Sequence, residues 1–172
     1  RGSDRQVHCD IYGPIEEGDY WRRCQRIMAH LPANIRVAYC GLVAPVQVAR
    51  VLQDYHLFYL PTQGENFGYA IVEAWAAGLP VLISDQTPWR ALESRGIGWD
   101  LPLAEPAGFS AVLRRVADME QAEFSAWSRR AQRFAGDLLA RQNASALPAY
   151  RALFEQTLRH AQRQPAHRPP AR

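Results

Sequence analysis

The chain has 172 residues, of which 48% are hydrophobic and 22% charged, and its formal net charge is only +3. This length suffices for one domain with a substantial core. All 20 basic residues are arginines, and the lack of lysine excludes a Walker A phosphate loop and any lysine Schiff base.

The metal-ligating residue types show no site pattern. Cys9, Cys24 and Cys40 form neither a disulfide framework nor a Cys-x-x-Cys pair, and the histidines lack the H-E-x-x-H spacing. The arginines gather toward the C-terminus without interleaved aromatics, and no apolar run approaches membrane-spanning length. We therefore predict no metal, no cofactor, no nucleic-acid partner and no membrane-spanning segment.

Short apolar strands alternate with helical stretches along the first half of the chain. Strands are predicted at 7–12, 36–40, 57–60 and 81–83, and helices at 19–31, 45–54 and 69–77. This alternation predicts an α/β fold, a Rossmann-like parallel sheet with helices on both faces. The loops at 13, 41, 62–68 and 84–88 follow strands, so they should line one cleft.

The second half has a different character. An edge strand is predicted at 97–101, followed by helices at 106–117, 120–140 and 144–164, the last with an apolar stripe of Leu147, Tyr150, Phe154 and Leu158. We divide the chain into a leader or cloning remnant (1–6), the Rossmann-like domain (7–142), a C-terminal helix (143–164) and a disordered tail (165–172).

One stretch, residues 63–80, combines a glycine-containing loop with a helix. Asn66 is predicted to cap the helix, and Gly78 is predicted to follow its end. Gly68 allows close approach of a ligand to the helix start, where amide groups bind phosphate. Glu65 precedes the helix, and Glu73 lies roughly 7 Å further along at about 1.5 Å per residue. A nucleotide with a polar group on its last phosphate would satisfy these features.

Glu65 and Glu73, with seven residues between them, resemble the E-x7-E motif of retaining nucleotide-sugar glycosyltransferases with the GT-B fold. The surrounding segments LPT, GENFGYAIVEAWAAGLPVLISD and TPW match in register. The chain is identified as similar to the C-terminal, donor-binding domain of family-four "group 1" transferases, over roughly residues 7–140. Relative to that family it begins one βα unit later and lacks the arginine and lysine that grip the diphosphate.

The resemblance implies a role for each site residue. Glu65, the catalytic candidate, would contact hydroxyls of the donor sugar and shape the pocket near its anomeric carbon, and Glu73 would accept hydrogen bonds from the ribose hydroxyls. The loop residues would face the distal phosphate, and the base would lie near the end of the second strand; these donor-binding residues are Thr62, Asn66, Phe67, Gly68, Gly41, Leu42 and Val43. No metal is implied.

The resemblance also implies the setting of the reaction. The donor would be an NDP-sugar, and the acceptor site would lie on a separate N-terminal GT-B domain. We expect a cytoplasmic enzyme of cell-surface polysaccharide biosynthesis, with peripheral contact at the inner membrane face as an option, and an isolated chain that is inactive.

Several alternatives stay open. The fold suits a GT-B-like sugar-nucleotide epimerase, although an epimerase gives no reason for the Glu65/Glu73 pair. A phosphorylase relative would need a lysine-bound pyridoxal phosphate, which this composition excludes. A non-catalytic nucleotide-binding or scaffold module is the third possibility. Residue by residue, Phe67 is equally explained by core packing and Thr62 by capping of its own loop. Arg90 follows the cleft loop and is a candidate to replace a missing cation, although surface solvation is the favoured interpretation.

Overall fold

The computed structural model describes residues 5–145. The strands are β1 (Val7–Tyr12), β2 (Ile35–Gly41), β3 (Phe58–Leu60), β4 (Val81–Ser84) and β5 (Gly98–Leu101). The helices are α1 (Gly18–Met28), α2 (Pro45–Leu52), α3 (Tyr69–Ala76), α4 (Leu92–Arg95), α5 (Pro106–Asp118) and α6 (Gln121–Ser145). Every strand and helix predicted between residues 7 and 140 is present, with bounds shifted by a few residues except at the end of α6, and the four-residue α4 is an addition.

Each strand runs parallel to its paired neighbours, but the strands form two sheets. β1 pairs with β2, while β4 lies between β3 and β5. The predicted α/β class with a parallel arrangement and flanking helices is confirmed. The single continuous sheet that we expected is instead interrupted between β1 and β3.

The centre of the packed core is β4, whose four residues are all buried. Val81 and Ile83 pack on one face against α3 and α6, and Leu82 packs on the other face against α5 and the start of α6. This burial on both faces explains the continuous apolar sequence of β4, which alternation could not have distinguished from a buried helix segment. By contrast, α1 and α2 contain no buried residue.

Helix α3 ends as its sequence predicts. Gly78 adopts φ +85°, its amide donates to the Trp75 carbonyl at 2.9 Å, and the Leu79 amide donates to the Ala74 carbonyl at 2.9 Å. These two bonds form a Schellman motif, which turns the chain directly into the buried β4.

The C-terminal part differs from the prediction. A break between two helices was expected near residue 143, yet α6 continues without interruption to Ser145. Residues 141–145 contain no glycine or proline, so no helix-breaking residue stands at the expected break. The rest of the predicted final helix with its apolar stripe, the tail at 165–172 and the first four residues lie outside the described range.

Candidate functional site

The loop between β3 and α3 delivers the chain into α3 through Gly68. This glycine is the N-cap, with φ +78° and ψ +60°, and no side chain caps the helix. A Cβ at this position would lie 2.7 Å from Ile71 Cδ1 and 3.2 Å from Glu65 Cγ. Both the left-handed backbone and the tight packing therefore require glycine. The prediction that Asn66 caps α3 is wrong, because the N-cap is Gly68, two residues later, and Asn66 is exposed in the loop.

The two acidic residues of the motif lie on either side of this helix start. Glu65 is exposed in the loop, whereas Glu73 is partly buried in the second turn of α3. Side chains of a helix lean toward its N-terminus, so Glu73 extends back toward the first turn. Burial raises the pKa of the Glu73 carboxyl above its ordinary value.

The loop at the end of β4 holds the loop at the end of β3. The Ser84 hydroxyl donates to the Thr62 carbonyl at 2.5 Å, and the Glu65 amide donates to the Gln86 carbonyl at 3.1 Å. Because the two strands are parallel neighbours, their carboxyl ends lie side by side and their loops can interlock. The predicted grouping of 62–68 with 84–88 therefore corresponds to direct contacts.

Trp89 provides the third anchor of the loop. Its indole Nε1 donates to the Phe67 carbonyl at 2.6 Å, and its ring lies 5.4 Å from the Phe67 ring and 5.0 Å from the Trp75 ring. Trp75 is fully buried and donates to the Ile97 carbonyl at 2.9 Å. Phe67 is thus tied to the core through its ring and through its backbone.

Two polar side chains that were candidates for ligand contact, Thr62 and Arg90, form hydrogen bonds to backbone groups of their own loops. The Thr62 hydroxyl donates to the Gly64 carbonyl at 2.8 Å and accepts from the Gly64 amide at 3.2 Å. The Arg90 guanidinium donates to the carbonyls of Asp85 (2.6 Å), Trp89 (2.9 Å) and Thr87. The interpretation of Arg90 as solvated surface missed this role, because the carbonyls it holds converge only in the folded turn.

The remaining predicted residues lie at the end of the other sheet. Gly41 ends β2 with φ +76°, its carbonyl accepts from the Gly13 amide at 2.9 Å, and Leu42 beyond it is 76% exposed. Val43 follows at intermediate burial. Within residues 5–145, no hydrogen bond or ring contact joins Gly41, Leu42 or Val43 to the 62–68 loop. The contacts therefore join the loop at Gly13 to the loop at Gly41, and the 62–68 loop to the 84–88 loop.

Sequence reasoning also missed Asp100. Its carboxylate accepts from the Leu92 amide at 2.9 Å and from the Ala91 amide at 3.1 Å, at the start of α4. Asp100 acts through a contact between its strand and the preceding turn, and the spacing of residues in the sequence does not reveal such a contact.

Glu65 and Asn66 of this loop are exposed, whereas Gly68 is buried. Two surface cavities are formed elsewhere, one of about 600 Å³ along α1 and one of about 430 Å³ around Trp99 and Asp100, and neither Glu65 nor Glu73 lines them. Across the part of the chain that the structure describes, no three histidine, cysteine, aspartate or glutamate side chains cluster as a metal site. None of the helices in that range is long and apolar enough to cross a membrane.

Comparison with solved structures identifies the fold. WaaG, "a glycosyltransferase involved in lipopolysaccharide biosynthesis", superimposes with a TM-score of 0.55 at 18% identity, over 77% of this chain and 43% of WaaG. Weaker similarities are the glycotransferase of kitacinnamycin (TM-score 0.45, 18% identity, 80% of this chain and 43% of that one) and the GtfA/B complex (0.43, 22%, 77% and 29%). The fold is that of GT-B glycosyltransferases, and the chain spans less than half of each structure.

The family follows from the sequence profile of "Glycosyl transferases group 1", which matches residues 1–118. The chain belongs to the group 1 glycosyltransferases. No curated protein matches it.

Proposed function

We propose that this chain is the donor-binding part of a retaining glycosyltransferase that moves a sugar from a nucleotide-sugar to an acceptor hydroxyl. The observation that carries the proposal is the start of α3. There, Gly68 leads into the helix without a side-chain cap, between an exposed Glu65 and a partly buried Glu73. Uncapped amide groups and the positive end of the helix dipole favour a phosphate at this position.

The roles of the residues follow from this placement. The distal phosphate lies against the backbone of Phe67 and Gly68, flanked by Asn66 and Thr62. Glu73 accepts hydrogen bonds from the ribose hydroxyls, one to two turns along the helix. Glu65, on the opposite side of the phosphate, contacts the sugar. The base extends toward Gly41, Leu42 and Val43.

The chemistry proposed is hexosyl transfer with retention and without a metal ion. The bond between the anomeric carbon and the phosphate oxygen breaks, and a bond to the acceptor oxygen forms on the same face of the sugar. The acceptor proton passes to the leaving phosphate. The donor site contributes by holding the diphosphate charge at a helix N-terminus.

The exposure of Glu65 bears on where the reaction takes place. A glycosyl transfer site must exclude water, and Glu65 is exposed here. We therefore propose that a second GT-B domain closes over Glu65 and supplies the acceptor site, and that the chain alone transfers no sugar. The enzyme would be cytoplasmic, act in cell-surface polysaccharide biosynthesis, and touch the inner membrane face at most peripherally.

The experiment is a pair of calorimetric titrations, preceded by a thermal-shift screen of UDP-, GDP- and ADP-sugars to choose the base. Glu73→Gln should weaken both the nucleoside diphosphate and its sugar conjugate by roughly tenfold, about 1.4 kcal/mol. Glu65→Gln should leave the diphosphate unchanged and weaken only the sugar conjugate. Glu105→Gln, an exposed glutamate at the start of α5, is the matched control and should change neither affinity.

The variants also separate the alternatives. Equal losses of affinity for both ligands in both variants would show that the two glutamates shape the loop, and that neither one binds the ribose or the sugar specifically. A wild-type chain that binds neither ligand would favour a scaffold module. Glycosyl transfer by the purified chain would contradict the need for a second domain.

A further inference from the structure

The turn that follows β4 holds the loop at the start of α3 at two points. The Gln86 carbonyl accepts from the Glu65 amide at 3.1 Å, and the Trp89 indole Nε1 donates to the Phe67 carbonyl at 2.6 Å. Asn66, which is exposed, lies between the two bonded residues in the sequence. The loop is therefore fixed both just before and just after Asn66.

The turn itself, residues 85–90, is held by its own hydrogen bonds. The Arg90 guanidinium donates to the carbonyls of Asp85 at 2.6 Å and Trp89 at 2.9 Å. The buried Thr87 adds its carbonyl as a third acceptor, and its hydroxyl accepts from the Trp89 amide at 3.2 Å. Trp89 is therefore held in place independently of the loop that its indole contacts.

The indole bond of Trp89 fixes the direction of one particular amide. The Phe67 carbonyl and the Gly68 amide belong to the same peptide group, which is planar and trans, so its C=O and its N–H point in opposite directions. Since the carbonyl points to the Trp89 indole, the Gly68 N–H points away from that indole.

The Gly68 amide has no acceptor in the structure. Gly68 is a buried residue, and within residues 5–145 its N–H forms no hydrogen bond. A buried donor without an acceptor costs free energy comparable to that of a lost hydrogen bond. A phosphate oxygen at the start of α3 would supply the acceptor, and its negative charge would strengthen the bond.

Glycine at position 68 also allows this direction to be lost. Reversal of a peptide group changes ψ of the residue before it and φ of the residue after it, which here are Phe67 and Gly68. Gly68 has φ +78°, and because it lacks a Cβ it also accepts the negative φ that reversal produces. The backbone at this position therefore does not fix the direction of the N–H, and the bond from the Trp89 indole does.

We propose that Trp89 is a positioning residue, whose indole holds the Phe67 carbonyl so that the Gly68 N–H faces the distal phosphate of the bound nucleotide. This rests on the proposed function, because it assigns the orientation of an amide in that same site. Trp89 acts through the peptide group and makes no contact with the ligand. Loss of its N–H should therefore weaken the contact with the distal phosphate and leave the contacts with the ribose and the base unchanged.

Calorimetry with a nucleoside diphosphate and the matching nucleoside monophosphate tests this role. Trp89→Phe keeps an aromatic ring and removes the N–H donor, so the diphosphate should bind about tenfold more weakly and the monophosphate should bind unchanged. Trp75→Phe is the matched control, because it removes an indole donor from the same aromatic cluster, but that donor bonds to the Ile97 carbonyl at 2.9 Å, outside the 62–68 loop. The control should lower the free energy of unfolding and leave the ratio of the two affinities as in wild type.

NMR of the ligand-free chain tests the orientation by itself. The three-bond couplings between the Gly68 N–H and its two α protons depend on φ, so they should change in Trp89→Phe and stay as in wild type in Trp75→Phe. In the wild-type chain, the Gly68 amide proton should shift downfield with the diphosphate and not with the monophosphate. This last measurement needs no variant, so it tests the proposal even if Trp89→Phe does not fold.

The outcomes separate failure of this inference from failure of the proposed function. If the wild-type chain binds the diphosphate and Trp89→Phe weakens both nucleotides equally, or neither, the positioning role is wrong and the donor site stands. Unchanged couplings of Gly68 in Trp89→Phe, or the same selective loss of diphosphate affinity in Trp75→Phe, would also overturn the inference. A wild-type chain that binds neither nucleotide would overturn the proposed function and the phosphate role of Trp89 with it.

Discussion

Gly68→Ala tests whether the entry into α3 depends on this glycine. Alanine at φ +78° costs about 1–2 kcal/mol in backbone strain. Its Cβ would also lie 2.7 Å from Ile71 Cδ1 in the core, and overpacking of this kind costs about 1–3 kcal/mol. The free energy of unfolding should therefore fall by about 3 kcal/mol in total.

Gly41→Ala is the matched control, because Gly41 has φ +76° and nothing within 4 Å of the added Cβ. It should lose only the strain, about 1–2 kcal/mol. Ile71→Val removes the Cδ1 atom and costs about 1 kcal/mol by itself. In that background Gly68→Ala should be milder, and the double-mutant cycle should give a coupling of about 1–2 kcal/mol.

The assay is equilibrium unfolding in urea, with the slope compared between variants to confirm that only stability has changed. If Gly68→Ala costs no more than Gly41→Ala, the argument from packing against Ile71 is incorrect. Zero coupling in the cycle would lead to the same conclusion. Loss of nucleotide affinity alongside stability would connect the same backbone geometry to the proposed phosphate contact.

Three further predictions concern stability. Ala91→Gly should stabilise the chain by about 0.5–1 kcal/mol in urea unfolding, because Ala91 adopts φ +56°; a loss would mean that the turn tolerates alanine. Gly136→Ala should raise the melting temperature through a gain of about 0.5–1 kcal/mol, since Gly136 lies within α6 with open space around its Cβ; no gain would indicate an unseen neighbour. Because burial raises the pKa of Glu73, the folded chain binds the proton more tightly, and stability should fall as pH rises from the unfolded pKa through the folded pKa. Glu73→Gln should remove this loss and be more stable than wild type near neutral pH. If the difference in free energy of unfolding between the variant and wild type is the same at acidic and neutral pH, the predicted direction of the pH dependence is wrong.

Local sequence signals were sufficient for most of the secondary structure. Gly78 and Pro80 mark the end of α3, and Pro45 marks the start of α2, because each residue restricts its own backbone. The first residue of α3 was predicted correctly, but its cap was assigned to Asn66 because asparagine satisfies the usual capping preference. The structure uses the backbone conformation of Gly68 and its packing against Ile71, and that packing involves side chains three residues ahead.

Contacts between distant residues account for what was missed. The interlocked loops depend on Ser84, Gln86 and Trp89 reaching residues about twenty positions earlier. Asp100 caps α4 from the following strand. The division of the sheet depends on which strands become neighbours, and periodicity within each strand carries no information about its neighbours.

The bond between Trp89 and the Phe67 carbonyl gives the site an optical property. An indole whose N–H is held at 2.6 Å by a loop carbonyl, with the ring partly buried, has an emission that depends on that loop. Ordering or displacement of residues 62–68 changes the polarity around the ring and therefore shifts the fluorescence of Trp89. The protein thus carries an intrinsic fluorophore at the proposed phosphate contact, one of five tryptophans, whose signal is isolated by comparison with Trp89→Phe.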